Sequence, residues 1–302
     1  MIIKMREPSV QLEIMQALSK RSDLLNPQTN AIRQMVKGYE GECQFDTVLN
    51  ELKCECLILN DLMLKINSQT CQIDTLFLSS KGVSIYEVKN YEGEFVYQED
   101  KLKIRTVNNE ISNPLQQLNR TTMLFRQLME EQRVSFSLQG FAVFINPQFT
   151  LFQAPVNEQL ILPTMLPNHV KRLNIDRGGL NKSHHRFAEK LQALHLDDVS
   201  YMTLPEYSFE KLKKGSYCSE CNGEVVHSKG RVWECTKCSR QDLSHNVIFD
   251  QIKDFHLLFP EKKYKTSELH EWTGKLFSEK SIRSVLSKHY TLKGKLKGAY
   301  YE

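Results

Sequence analysis

"QIDTLFLSSKGVSIYEVKN" (residues 72–90) holds two alternating apolar runs around Ser-Ser-Lys-Gly. Read as a β-hairpin closed by Ser79 and Gly82, it sets Leu78 opposite Val83, Leu76 opposite Ile85, and Asp74 opposite Glu87. Side chains alternate along a strand, so these six share one face, and Lys89 joins it two positions on. That face is apolar beside the turn and ionic at its far end. Opposed carboxylates roughly 5 Å apart repel by about 3 kcal/mol at an effective dielectric of about 20. A raised pKa on one acid, the charge of Lys89, or a bound divalent cation would each offset this. Two carboxylates with a carbonyl and waters form a hard oxygen set suited to Mg²⁺ or Mn²⁺. The alternative is an exposed rim on which Lys89 pairs with one acid.

Around the hairpin the pattern extends in both directions. "SVQLEIMQALSKR" (9–21) has a helical apolar rhythm that "NPQTN" (26–30) is expected to break, with a second helix over 31–52. A strand is expected near 56–66, and "GEFVYQEDKLKIRTV" (93–107) reads as a hairpin turning at Glu99-Asp100. "NPLQQLNRTTMLFRQLMEEQ" (113–132) begins with an Asn cap and Pro at the first helical position. "LQGFAVFINP" (138–147) suits a buried strand. The resulting order is αβββαβ. Prolines at 155, 163, 167 and 205 punctuate residues 148–210, where one helix is expected near 182–195, with His184 and His185 on the surface.

This order resembles the PD-(D/E)XK nuclease superfamily. More closely, "GYEGE" (38–42), "QIDTLFL" (72–78), "GVSIYEVKNYEG" (82–93) and "NPLQQ" (113–117) resemble the NERD, or nuclease-related domain, family. Asp74 follows Ile rather than the Pro of the superfamily's nominal motif. The resemblance implies a restriction-endonuclease-like α/β (α+β) core that hydrolyses nucleic acid with Mg²⁺ or Mn²⁺. It implies Asp74, Glu87 and the carbonyl of Val88 as metal ligands and Lys89 as the residue acting on water and phosphate. Glu42 would be the helical acid, with Glu40 ranked behind it. Gln117 would touch water, substrate or Lys89, or else simply face solvent.

The last third of the chain is chemically distinct. Of the 40 Lys/Arg and 36 Asp/Glu, residues 1–210 carry a net of −3 and residues 211–302 a net of +7. A basic segment suits a polyanion, as it also suits a solvated lysine-rich surface. Within it, Cys218-x2-Cys221-x13-Cys235-x2-Cys238 has the spacing of a closed tetrahedral Zn²⁺ site, and the residues between the pairs read as a hairpin around Lys229-Gly230. The segment resembles a zinc ribbon whose metal is structural. Cys43, Cys54, Cys56 and Cys71 lack ligand spacing and are expected to pack as free thiols. "TSELHEWTG" (266–274) and "SEKSIRSVLSKHY" (278–290) read as two capped helices, with Leu269, Trp272, Ile282, Val285 and Leu286 facing one core. A basic hairpin follows, and the whole resembles a winged helix-turn-helix. Arg283, Ser284, Ser287 and Lys288 would face a DNA groove and Lys293, Lys295 and Lys297 the phosphates. A small helical cap or protein-interaction module is the alternative.

Composition and motifs narrow the function. Forty per cent hydrophobic and 25% charged residues are ordinary for a folded soluble chain. There is no apolar run of membrane length, no secretory apolar core at the start, and no HExxH, GxxxxGK[ST] or GxSxG motif. The expectation is a cytoplasmic protein without a membrane partner, divided as 1–36 (helical extension), 37–208 (nuclease-like domain), 209–245 (zinc ribbon) and 246–302 (winged-helix-like domain). Its expected activity is metal-dependent cleavage of DNA. A non-catalytic DNA-binding platform is the second reading, and a protein adaptor, needing neither metal nor basic tail, the third.

Overall fold

The chain opens with β1 (Ile2–Lys4), α1 (Val10–Arg21) and α2 (Asn26–Asn50), then enters three strands, β2 (Cys56–Ile66), β3 (Gln69–Ser79) and β4 (Gly82–Lys89). These elements belong to a computed structural model that describes residues 1–196, 204–295 and 298–302. Its contacts divide into two units, Met1–Pro8 with Gln34–Tyr201, and Ser9–Arg33 with Met202–Glu302.

In the first unit, β3 and β4 pair in the expected register, with Leu78 opposite Val83 and Leu76 opposite Ile85, closed at Ser79 and Gly82. Gly82 has φ +118°, and a Cβ there would lie 2.4 Å from the carbonyl oxygen of Ser137, so the turn needs glycine twice over. After β4 come β5 (Gly93–Gln98), β6 (Lys101–Ile104), β7 (Asn109–Ile111), α3 (Pro114–Glu131) and β8 (Leu138–Phe144). The turn at Glu99-Asp100 uses φ of +51° and +57°, as two-residue hairpins of this type require. Then follow β9 (Phe149–Phe152), β10 (Leu160–Ile161), α4 (Leu166–Asn174) and α5 (Lys182–Ala193).

The main sheet is mixed, in the order β1-β2-β3-β4-β8-β10, and a smaller sheet runs β7-β6-β5-β9. Alternation along the strands builds two cores. Leu76, Leu78, Val83 and Ile85 pack with Leu118, Phe125 and Leu128 of α3 and with Phe187 and Leu191 of α5. Phe77, Tyr86 and Val88 point the other way, onto Phe45 and Leu49 of α2. The fold class is α+β.

Two local expectations change. α2 starts at Asn26, five residues before the expected boundary, because a Pro in the first turn lacks only an N–H that would have no partner there. His184 is buried rather than superficial: its Nδ1 accepts from the Asn181 amide at 3.0 Å, and its ring stacks on Phe136.

The second unit contains α1 together with β11 (Val225–Lys229), β12 (Val232–Cys235), β13 (Gln241–Leu243), α6 (Ser244–Leu258), α7 (Thr266–Trp272), α8 (Glu279–His289), β14 (Leu292–Lys293) and β15 (Tyr300–Tyr301). Ile14, Met15 and Leu18 of α1 share one core with Trp233, Phe255, Trp272, Ile282 and Leu286. The contacts therefore split residues 1–36 between the units, and the cysteine segment and the C-terminal helices share a single core. Arg21 is fully buried there. Its guanidinium lies 3.6 Å from the Trp272 ring centroid and donates to the carbonyls of Lys213 and Gly215 and to Gln251 Oε1.

Candidate active site

The β3–β4 ladder stops at Thr75 and Tyr86. One step further, the Val88 amide donates to Asp74 Oδ2 at 2.7 Å. A side-chain carboxylate thus takes the place of a strand carbonyl, and the ionic end of the hairpin face begins there. Asp74 is 8% and Glu87 2% exposed, which rules out the exposed-rim alternative. Lys89 Nζ donates to Glu87 Oε1 at 2.6 Å and to Gln117 Oε1, on the first turns of α3, at 3.3 Å. Asp74, Glu87, Lys89 and Gln117 are therefore gathered as the sequence suggested.

Burial dominates the electrostatics. It raises the Asp74 pKa against the opposing effects of Lys89, the Val88 amide and Arg6. Burial and the Asp74 charge push Glu87 up to about 7 despite Lys89. Burial works against the Lys89 ammonium, yet Glu87 and Asp74 hold its pKa above the ordinary lysine value. Glu42, on α2, is pushed up to about 8 by burial and by Asp74. Glu40 is exposed. Val88 turns its side chain into the α2-side core.

Two further residues join the cluster. Arg6, just past β1, donates to Glu42 Oε2 at 2.5 Å, to Asp46 at 2.8 and 3.1 Å, to the Asp74 carbonyl at 2.7 Å and to Thr75 Oγ1 at 3.0 Å. Its contacts lie 36 or more positions away in sequence, so no local pattern announces them. Asp61 raises the pKa values of both Asp74 and Glu42. A signal existed here. The Asn60-Asp61 pair interrupts an apolar run, and the β2–β3 register, with Asn60 opposite Thr75 and Leu62 opposite Ile73, sets Asp61 opposite Asp74.

In the second unit, the four cysteine sulfurs lie within 4.8 Å of one another, with Cys218–Cys238 at 3.8 Å and Cys221–Cys235 at 3.3 Å. Among the described residues no other group of three or more His, Cys, Asp or Glu converges so closely, the acids of the first unit included. Tetrahedral zinc–thiolate bonds of about 2.3 Å place sulfurs about 3.8 Å apart, so the cysteines fit a metal of that kind. The β11–β12 hairpin turns at Gly230, φ +57°, as expected, and β13 adds a third strand. Gly223 lets the first knuckle close, since a Cβ there would lie 2.8 Å from Cys235 Sγ.

Further along, α7 and α8 bury Leu269, Trp272, Ile282, Val285 and Leu286. Ser278 caps α8, whereas α7 begins after Lys265 without a side-chain cap. Arg283, Ser284, Ser287, Lys288, Lys293 and Lys295 are all exposed, and Ser287 Oγ lies 3.1 Å from Tyr301 Oη. Lys297 lies outside the described residues. β14 pairs with β15, and Tyr301 also bridges to Tyr264, between α6 and α7.

An α+β unit with buried acids and a lysine at the end of a central hairpin, joined in sequence to a unit with a four-cysteine cluster, defines the class. The family model described as the nuclease-related domain matches residues 37–145, so a region of that kind is present over about a third of the chain. No curated protein and no solved structure matches the chain. No helix among the described residues is long and apolar enough to cross a membrane.

Proposed function

We propose that this chain is a divalent-metal-dependent nuclease that hydrolyses phosphodiester bonds of nucleic acid, with DNA as its substrate. The buried Asp74–Glu87–Lys89 constellation inside the nuclease-related region carries the reading. Its donors fit a hard cation: acids whose pKa values burial raises gain from a positive charge that shares their pocket. Asp74, Glu87 and the Val88 carbonyl would hold Mg²⁺ or Mn²⁺, with Glu42 contributing directly or through water. When bound, the cation polarises the phosphoryl oxygen and lowers the pKa of water. Lys89 orients the attacking water and offsets charge growing on the phosphate. Gln117 fixes the Lys89 ammonium, and Arg6 fixes Glu42 against the end of β3.

In this reading the four-cysteine cluster holds structural Zn²⁺ in a zinc ribbon, and α6–α8 with the β14–β15 hairpin form a winged helix. α8 presents Arg283, Ser284, Ser287 and Lys288 to a groove, and Lys293, Lys295 and Lys297 meet phosphates. The protein acts in the cytoplasm. One observation favours the non-catalytic platform as the second reading: Glu87 and Glu42 each have a cationic side-chain partner within the fold, Lys89 at 2.6 Å and Arg6 at 2.5 Å.

Cleavage of several DNA forms, measured with and without Mg²⁺ for wild type, Glu87→Gln and Lys89→Ala, separates the readings. A nuclease loses turnover in both variants, and Lys89→Ala keeps a Mg²⁺-dependent rise in Tm because Lys89 is not a metal ligand. No activity in wild type favours the platform, and equal activity in all three proteins removes this cluster from catalysis.

A further inference from the structure

At the far end of α3 from Lys89, a cavity of about 380 Å³ opens between the end of that helix and the start of α5. Its lining includes Arg133, Ser135 and Phe136 from the α3–β8 connection and Ser183, Arg186 and Lys190 from α5. The volume lies within the roughly 300–1,000 Å³ typical of small-ligand pockets.

The charge arrangement is one-sided. Arg186 and Lys190 stand four residues apart on one face of α5, where like charges destabilise an isolated helix by about 0.2–0.5 kcal/mol. Arg133 adds a third cation. No carboxylate lines the cavity, and none of the three cations forms an ion pair with a described carboxylate. Glu130, Glu131 and Glu189 are close in sequence but outside the lining. The Asn181 side chain already takes the amides of Ser183 and His184, so an anion here would be held by side chains rather than by those amides. An anion bridging the three cations relieves their repulsion.

The aromatic wall narrows the class of anion. Phe136 lines the cavity beside the cations and is held in place by His184, ring centroids 4.6 Å apart and 16° from parallel, and by Phe187 at 5.8 Å. Two hydroxyls, three cations and a planar apolar wall suit a phosphate attached to a heterocyclic base. We propose that this cavity binds the phosphate of a nucleotide, either free or as one unit of a nucleic-acid strand. The site is separate from the acid cluster: α3 carries it roughly 21 Å along its axis from Gln117 to Glu131. It therefore stands whether or not the acids cleave.

The test uses the full-length protein at low salt without Mg²⁺. 5′-AMP, adenosine and an eight-nucleotide single strand are titrated into wild type, Arg133→Gln and the double variant Arg186→Gln/Lys190→Gln. 5′-AMP binds wild type and adenosine does not, and the double variant loses at least tenfold in affinity for 5′-AMP while its unliganded Tm stays the same or rises. Competition between 5′-AMP and the single strand in wild type, absent in the double variant, assigns the strand as a second source of the same phosphate. Glu87→Gln retains 5′-AMP binding, so loss of cleavage and loss of this site are told apart. Adenosine binding as well as 5′-AMP, or 5′-AMP binding the double variant and Arg133→Gln as well as wild type, overturns the proposal.

Discussion

Glu87 and Glu42 are acids that the metal-free fold holds at pKa values of about 7 and about 8, above their ordinary 4.5. An acid with a raised folded pKa retains its proton in the native state longer than in the unfolded chain. Its stabilising effect is therefore full below pH 4.5 and is lost as pH climbs towards 7 for Glu87 and 8 for Glu42. Thermal unfolding of the metal-free protein should show Tm falling between about pH 5 and about pH 8 and then levelling. Added Mg²⁺ should restore Tm most at the upper end, where both acids are ionised. Glu87→Gln should flatten the lower part of that fall and leave the metal-free protein at about pH 8 no less stable than wild type. Arg6→Ala is the opposite case. It strips Glu42 and Asp46 of their charge partner and should cost about 3 kcal/mol at about pH 8, and less at about pH 5, where Glu42 carries its own proton. Denaturant unfolding at the two pH values checks the difference.

The four-cysteine hairpin is an element whose folding and metal binding should be one event. Its three strands are short, and its knuckles depend on the close approach permitted at Gly223. If the four sulfurs hold zinc, elemental analysis of the wild type should find one zinc per chain, and Cys221→Ser should abolish it and remove hydrogen-exchange protection from β11–β13, leaving protection in β2–β4 intact. A variant that keeps stoichiometric zinc would show that the four sulfurs are not its ligands. α1 belongs to the same unit through Arg21, whose removal orphans the carbonyls of Lys213 and Gly215. Arg21→Ala should destabilise that unit by about 2–3 kcal/mol, read as a shift in its denaturant midpoint.

At the scale of the whole molecule, the net +7 of residues 211–302 against −3 for the rest should make nucleic-acid affinity steeply salt-dependent. Each phosphate contact to duplex DNA contributes a slope of about −0.9 in log affinity against log salt. Lys293→Ala with Lys295→Ala should therefore weaken binding and reduce the slope by about 2 if both residues meet phosphate. A slope unchanged in the double variant would remove Lys293 and Lys295 from the phosphate contacts. The measurement also separates a nucleic-acid module from a protein adaptor, whose association need not follow that salt law.

Local chemistry was legible in the sequence wherever the contacts are local. The register of the 72–90 hairpin follows from strand alternation and a glycine turn, so Asp74, Glu87 and Lys89 could be placed together from their spacing. The cysteine pairs sit on short knuckles, and the faces of α7 and α8 repeat with the helical period. Tertiary structure alone decided how the ends of the hairpin are completed. Arg6 reaches Asp74 and Thr75 across 68 and 69 positions. Asp61 meets Asp74 through a third strand. Residues 1–36, which read as one extension, divide between two cores because Leu18 and Arg21 of α1 pack with Trp272 while the first eight residues belong with the sheet unit. Periodicity shows which side of an element is apolar, but not which distant surface buries it. Burial, in turn, sets the pKa of each acid and whether a cation is needed beside it.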